Sequence, residues 1–102
     1  MADYAADVAK YVSDVDQSKV DAIVKYCGIA LRNRDSSLVS AGDPKELATV
    51  RDGFAKKKLG LEPAAAEAAL DKVMETMSGV KAKSRVTVYY LLAEQTGNLD
   101  KL

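Results

Sequence analysis

The stretch Ser84-Arg85-Val86-Thr87-Val88-Tyr89-Tyr90-Leu91-Leu92-Ala93-Glu94-Gln95-Thr96-Gly97 decides the fold of this chain. Its core, Val86 to Tyr90, is rich in β-branched and aromatic residues, the composition of a strand. Its setting argues the other way. Ser84 and Gly97 stand where a helix would have its N-cap and its left-handed C-terminal residue. The rest of the chain reads as helices, so a strand here would lack a partner. The spacing therefore predicts a helix over residues 85–95, with a strand over 85–91 as the alternative.

Helical signals extend outward on both sides. Pro63 opens a helix with an apolar stripe at Ala66, Leu70, Val73 and Met77, ending near Ser78-Gly79. Before it, Asp43-Pro44-Lys45-Glu46 sets an N-cap acid ahead of a first-position proline, with Glu at N3. The helix it opens presents Leu47, Val50 and Phe54 on one side. Lys56, Lys57 and Lys58 occupy its last turn, where cations favour the negative end of the helix dipole. Gly60 follows as a left-handed terminator, and Leu61 is placed to fold back. Ser18-Lys19-Val20-Asp21 resembles a capping box, and Val20, Ile23, Val24, Cys27 and Leu31 recur at helical spacing behind it. Gly28 falls inside that helix, where close packing against a neighbour is the simplest reason for it. Residues 3–13 read as a first helix with Asp3 as N-cap and Tyr4, Val8, Tyr11 and Val12 on one face. Residues 32–42 are polar and irregular, with Leu38-Val39 as a buried plug. The expectation is an all-α, compact single domain over residues 1–102, a bundle of about five helices.

Several stretches look familiar: Lys25-Tyr26-Cys27-Gly28-Ile29-Ala30-Leu31-Arg32-Asn33-Arg34-Asp35-Ser36-Ser37-Leu38-Val39, then Asp43-Pro44-Lys45-Glu46-Leu47, Val50-Arg51-Asp52-Gly53-Phe54 and Lys57-Lys58-Leu59-Gly60-Leu61. Together they resemble a family of small bacterial proteins catalogued only as a domain of unknown function. The likeness extends over most of the chain. It implies a bacterial, all-helical, single-domain protein and carries no activity, cofactor or site residue with it.

Composition removes whole classes of function. The 102 residues contain no His and no Trp, and Cys27 is the single cysteine. Without His there is no imidazole metal site and no Ser/His or Cys/His nucleophile pair. One cysteine excludes an internal disulfide framework and suits a reducing compartment, so the expected location is the cytoplasm. No apolar run approaches the roughly 20 residues of a membrane helix. Net charge is zero, but its sign alternates along the chain: −3 over residues 1–24, +4 over 25–58, −3 over 59–80 and +2 over 81–102. A nucleic-acid binder ordinarily carries a basic excess for the whole domain. Alternation instead suits segments that attract one another within the fold or across a homodimer.

Four constellations are candidates for chemistry. Cys27 lies on the apolar face of its helix between Val24 and Leu31, the place of a small buried hydrophobe rather than a reactive thiol. Asp14-x-Asp16-x-Ser18 is similar to the opening of a calcium loop, but Lys19 and Lys25 stand where Gly and the bidentate Glu should be. A metal-free helix–loop–helix of EF-hand shape is compatible with it, and neither metal nor cofactor is expected. The basic block provides a candidate anion or partner surface at Arg32, Arg34, Arg51, Lys57 and Lys58, with acids interspersed that would repel a phosphate backbone. Tyr26 is the one tyrosine near the block, which is poor for stacking bases. Last, Tyr89 and Tyr90 point about 100° apart on a helix, so both should not be fully buried. Tyr90 is assigned to an interface and Tyr89 to the core. The leading functional expectation is a non-enzymatic protein-interaction module, binding another protein or a second copy of itself. The alternative is anion or nucleic-acid binding through residues 32–58, and a small enzyme without metal or His comes third.

Overall fold

The helix over Arg85–Gln95, α5, is the axis on which the other elements pack. A computed structural model describes residues 4–13, 15–28, 38–39, 44–78 and 83–101. Every residue from Arg85 to Ala93 is buried. The expected helix is therefore present at its expected bounds, and its strand-like composition has a reason. A helix enclosed on all sides needs no polar face, so its apolar residues show no helical stripe. Around it lie α1 (Tyr4–Val8), α2 (Gln17–Cys27), α3 (Pro44–Thr49), which continues as a π-helix over Val50–Lys58, and α4 (Pro63–Thr76). A 3₁₀ turn, Leu99–Lys101, packs back on α5. The fold is all-α with five helices among the described residues, and one hydrophobic core runs through all of them.

Two corrections concern helix ends. α1 is shorter than the expected 3–13: regular winding stops at Val8, and turns carry the chain on to Val12. The expected face survives, with Val8 buried and Tyr4, Tyr11 and Val12 packed partly against the core. α2 starts one residue before Ser18, and its N-cap is Asp16, whose carboxylate accepts from the Ser18 amide at 3.0 Å and the Ser18 hydroxyl at 2.6 Å. Asp16 outcompetes Ser18 because an ionised oxygen is the stronger acceptor for the exposed N–H groups of a first turn. The second carboxylate of the calcium-like motif is thus spent on a cap, while Asp14, which opens the motif, lies outside the described residues.

Gly28 is likewise not an interior glycine. It is the C-cap of α2 at φ +50°, ψ −115°, with its N–H donating to the Val24 carbonyl. A Cβ there would meet nothing within 4 Å, so backbone conformation, not close packing, is what requires glycine. Leu31 lies outside the described residues.

Pro44 opens α3 as expected, but nine residues from Val50 to Lys58 wind as a π-helix, which the sequence reading took as α. The buried residues explain it. Val50, Phe54, Ala55 and Leu59 face the core, at steps of four, one and four. At about 100° per residue an α-helix would spread these four over roughly 180° and turn Arg51 and Lys58 inward. With i→i+5 bonding each turn takes roughly four to five residues, so steps of four, five and nine return to one side. Leu59 N–H donates to the Phe54 carbonyl in that register, at 3.1 Å. Gly60, at φ +71°, then ends the segment, and Leu61 folds back to donate to the Ala55 carbonyl at 3.0 Å, as expected.

α4 follows the sequence reading closely, with Pro63 at its start and Ala66, Leu70, Val73 and Met77 all buried. Val39 is buried too, though not as a simple plug. Leu38–Val39 (β1) pairs antiparallel with Lys83–Ser84 (β2), Leu38 opposite Ser84 and Val39 opposite Lys83. This two-residue ladder leads the chain into α5.

Candidate functional site

Three aromatic rings from three elements meet beside the end of α2. Phe54 from the π-helix stacks on Tyr89 of α5, with centroids 4.0 Å apart and planes at 10°. Tyr26 of α2 sets its ring at 62° to Phe54, 5.6 Å away, and tilts over Tyr89 at 6.3 Å. Phe54 and Tyr89 are buried, whereas Tyr26 is 45% exposed, the only exposed large hydrophobic side chain among the described residues. Lys58 Nζ lies 5.7 Å from the Tyr26 ring centre, within range of a cation–π contact. Tyr26 is thus held against two buried rings and flanked by a cation, whereas the sequence marks it only as a lone tyrosine near the basic block. Its spacing on α2 sets it off the apolar stripe, but its ring partners, Phe54 and Tyr89, lie far along the chain and could not be read from that spacing.

Beneath this surface is a buried polar network. Arg85 Nη1 donates to the Tyr89 hydroxyl at 3.1 Å. Burial pushes the Tyr89 phenol upward, opposed by the Arg85 hydrogen bond. Cys27 is half-buried against the core, and burial pushes its thiol up to about 11, with the Arg85 charge acting the other way. Both groups move away from neutrality, opposite to what a nucleophile or a general base needs. The Thr87 hydroxyl donates to the Asp7 carboxylate, tying α1 to the first turn of α5. Among the described residues no group of three or more His, Cys, Asp or Glu is placed to hold a metal ion.

Of the basic residues proposed from sequence, Arg51 and Lys58 face different neighbours. Arg32 and Arg34 lie outside the described residues. Arg51 is ion-paired with Asp52, Nε to Oδ1 at 3.1 Å, and faces α4 across a cleft of about 210 Å³ that Glu67 and Asp71 also line. Lys58 is turned to α2, and Lys57 is exposed. Seven residues separate Arg51 from Lys58, close to two turns of an α-helix but not of a π-helix, so the π winding parts them. Tyr90 is a clear correction. It is 1% exposed, and its hydroxyl accepts from the Asp16 amide at 3.0 Å. It is a core residue, not an interface aromatic. Tyr89 is only 5% exposed as well. Adjacent tyrosines can both be buried because α5 has neighbours all round, so a 100° divergence leads each into a different one. An open groove of about 700 Å³ between α4 and the end of α5 is lined by Ala68, Ala69, Lys72, Glu75, Thr76 and Gln95.

These features define a small all-helical protein with an exposed tyrosine beside a lysine, over a buried polar network. The profile of a family described as "Protein of unknown function (DUF2853)" matches residues 3–100, and the chain belongs to that family. No curated protein matches the chain. No described helix is long and apolar enough to cross a membrane.

Proposed function

We propose that this is a non-enzymatic protein-interaction module of the bacterial cytoplasm, with Tyr26 at the centre of its contact surface. The observation that carries the reading is the exposure of Tyr26, 45% on a chain whose other described large apolar side chains are covered. Tyrosine and other aromatics are enriched in interface cores, where a rigid ring supplies contact area at low entropic cost. The ring is backed by Phe54 and Tyr89, so binding would order little that is not already ordered. The shifts of Cys27 and Tyr89 away from neutrality favour a binding role over a catalytic one. The anion-binding alternative draws no support from Arg51, which is already paired with Asp52.

The test is retention of a defined protein from bacterial lysate on the immobilised chain, with nuclease present. Tyr26→Ala should abolish retention while leaving the circular dichroism spectrum of the folded protein unchanged, with a thermal midpoint lowered by several degrees through the lost contacts with Phe54 and Tyr89. Retention that survives Tyr26→Ala, or that depends on intact nucleic acid, would sink the reading.

A further inference from the structure

We infer that the Tyr26 surface receives an acidic protein segment, an inference that rests on the docking role just proposed. The argument is one of charge. Lys25 precedes Tyr26 and is exposed, Lys57 is exposed on the π-helix, and Lys58 Nζ lies 5.7 Å from the Tyr26 ring centre. Among the described residues none of these three lysines is in an ion pair, whereas Lys10 pairs with Asp7 and Arg51 with Asp52. The two chain segments that deliver them, residues 22–28 and 53–60, contain no acid at all.

Helix dipoles account for lysines at the ends of α2 and the π-helix. They do not account for a large aromatic ring left half in water beside Lys58. A segment that set an apolar side chain against the ring and carboxylates against Lys57 and Lys58 would satisfy both features. Lysine ammoniums are flexible point charges that suit separate carboxylates. Nucleic acid fits less well, since one aromatic ring and three lysines offer little stacking and few phosphate contacts.

The probe is a short peptide with Leu and Phe set between glutamates, titrated into the full chain and followed by amide NMR. Its counterpart with lysines for glutamates, a poly-uridine oligomer and vesicles of anionic lipid are titrated in parallel. The acidic peptide should move the amides around Tyr26, Lys57 and Lys58, and the response should weaken as salt is raised. Lys57→Glu combined with Lys58→Glu should weaken that binding about tenfold or more. Lys58→Gln, a milder change, should weaken it less and guards against a fold defect. No localised response, an equal response to the lysine peptide, or a stronger one to RNA or vesicles would overturn the inference. So would shifts that depend on the concentration of the protein alone, which would make the occupant a second copy. The two ideas fail separately. If Tyr26→Ala abolishes lysate retention and charge reversal leaves it intact, only the acidic occupant is wrong. If Tyr26→Ala changes nothing, the docking role itself is wrong.

Discussion

Truncating Phe54 to Ala should be among the most damaging single changes available to this protein. Phe54 is 1% exposed, so its side chain is wholly withdrawn from water. Removing a buried Phe side chain costs about 3–5 kcal/mol through lost transfer free energy and the cavity left behind. Part of that is specific to the rings: the parallel contact with Tyr89 at 4.0 Å and the edge contact with Tyr26 at 5.6 Å. Such aromatic pairs contribute about 0.5–1.5 kcal/mol beyond area burial. The cavity cannot close easily, because Tyr89, stacked on Phe54, is itself held in the core. A loss near 4 kcal/mol is a large share of the about 5–15 kcal/mol that small proteins have to lose. At about 4–8 °C per kcal/mol it should lower the thermal midpoint by tens of degrees. Urea unfolding followed by circular dichroism at 222 nm gives the free energy, with tyrosine emission as a second probe in a chain that lacks Trp. Phe54→Leu should cost clearly less, since it keeps most of the volume and loses only the ring contacts. A cost below about 1.5 kcal/mol for Phe54→Ala, or equal costs for Ala and Leu, would refute the claim that this stack organises the core.

Two glycines should respond to alanine with opposite signs. Gly28→Ala should destabilise by about 1–3 kcal/mol, because φ +50° with ψ −115° is a conformation L-residues avoid. Gly53→Ala, inside the π-helix with open space around its Cβ, should stabilise by a few tenths to about 1 kcal/mol in the same urea assay. Cys27 should react slowly with a thiol reagent at pH 8 and quickly once urea unfolds the chain. Its folded pKa, about 11, lies above the unfolded reference of 9.0, so its contribution is complete below pH 9 and fades as pH climbs toward 11. Stability should therefore fall over that interval, and Cys27→Ala should flatten part of the fall. Asp16 shifts the other way, its carboxyl held low chiefly by the Ser18 hydroxyl hydrogen bond. Its contribution is present above the ordinary carboxylate pKa and lost on acidification through the lowered one. Asp16→Ala should lower the thermal midpoint at pH 7 and should matter less at pH 2, whereas Asp16→Asn should keep most of the cap.

Local chemistry made much of the architecture legible before any coordinates. Helix starts at Pro44 and Pro63, the left-handed stop at Gly60 and the α4 stripe of Ala66, Leu70, Val73 and Met77 depend on residues within a turn or two of one another. So does the stop at Gly97, at φ +72° beyond the helix of residues 85–95, although the Ser84 side chain makes no capping bond at its start. What tertiary structure alone decided is everything that needs a neighbour from elsewhere in the chain. The burial of both Tyr89 and Tyr90 follows from α5 having partners on every side, and no periodicity within α5 encodes that. The π winding of Val50–Lys58 follows from which of its residues the core demands. The spacing Val50, Phe54, Ala55, Leu59 was visible in the sequence, but Leu59 could be counted with the others only once its burial was known. That winding in turn sent Arg51 toward α4 and Lys58 toward α2. The same core lifted Tyr26 into view as an exposed ring on a buried stack. Helix signals are written in adjacent residues because caps and backbone bonds are local, whereas a surface is a product of packing and becomes readable only when distant segments have met.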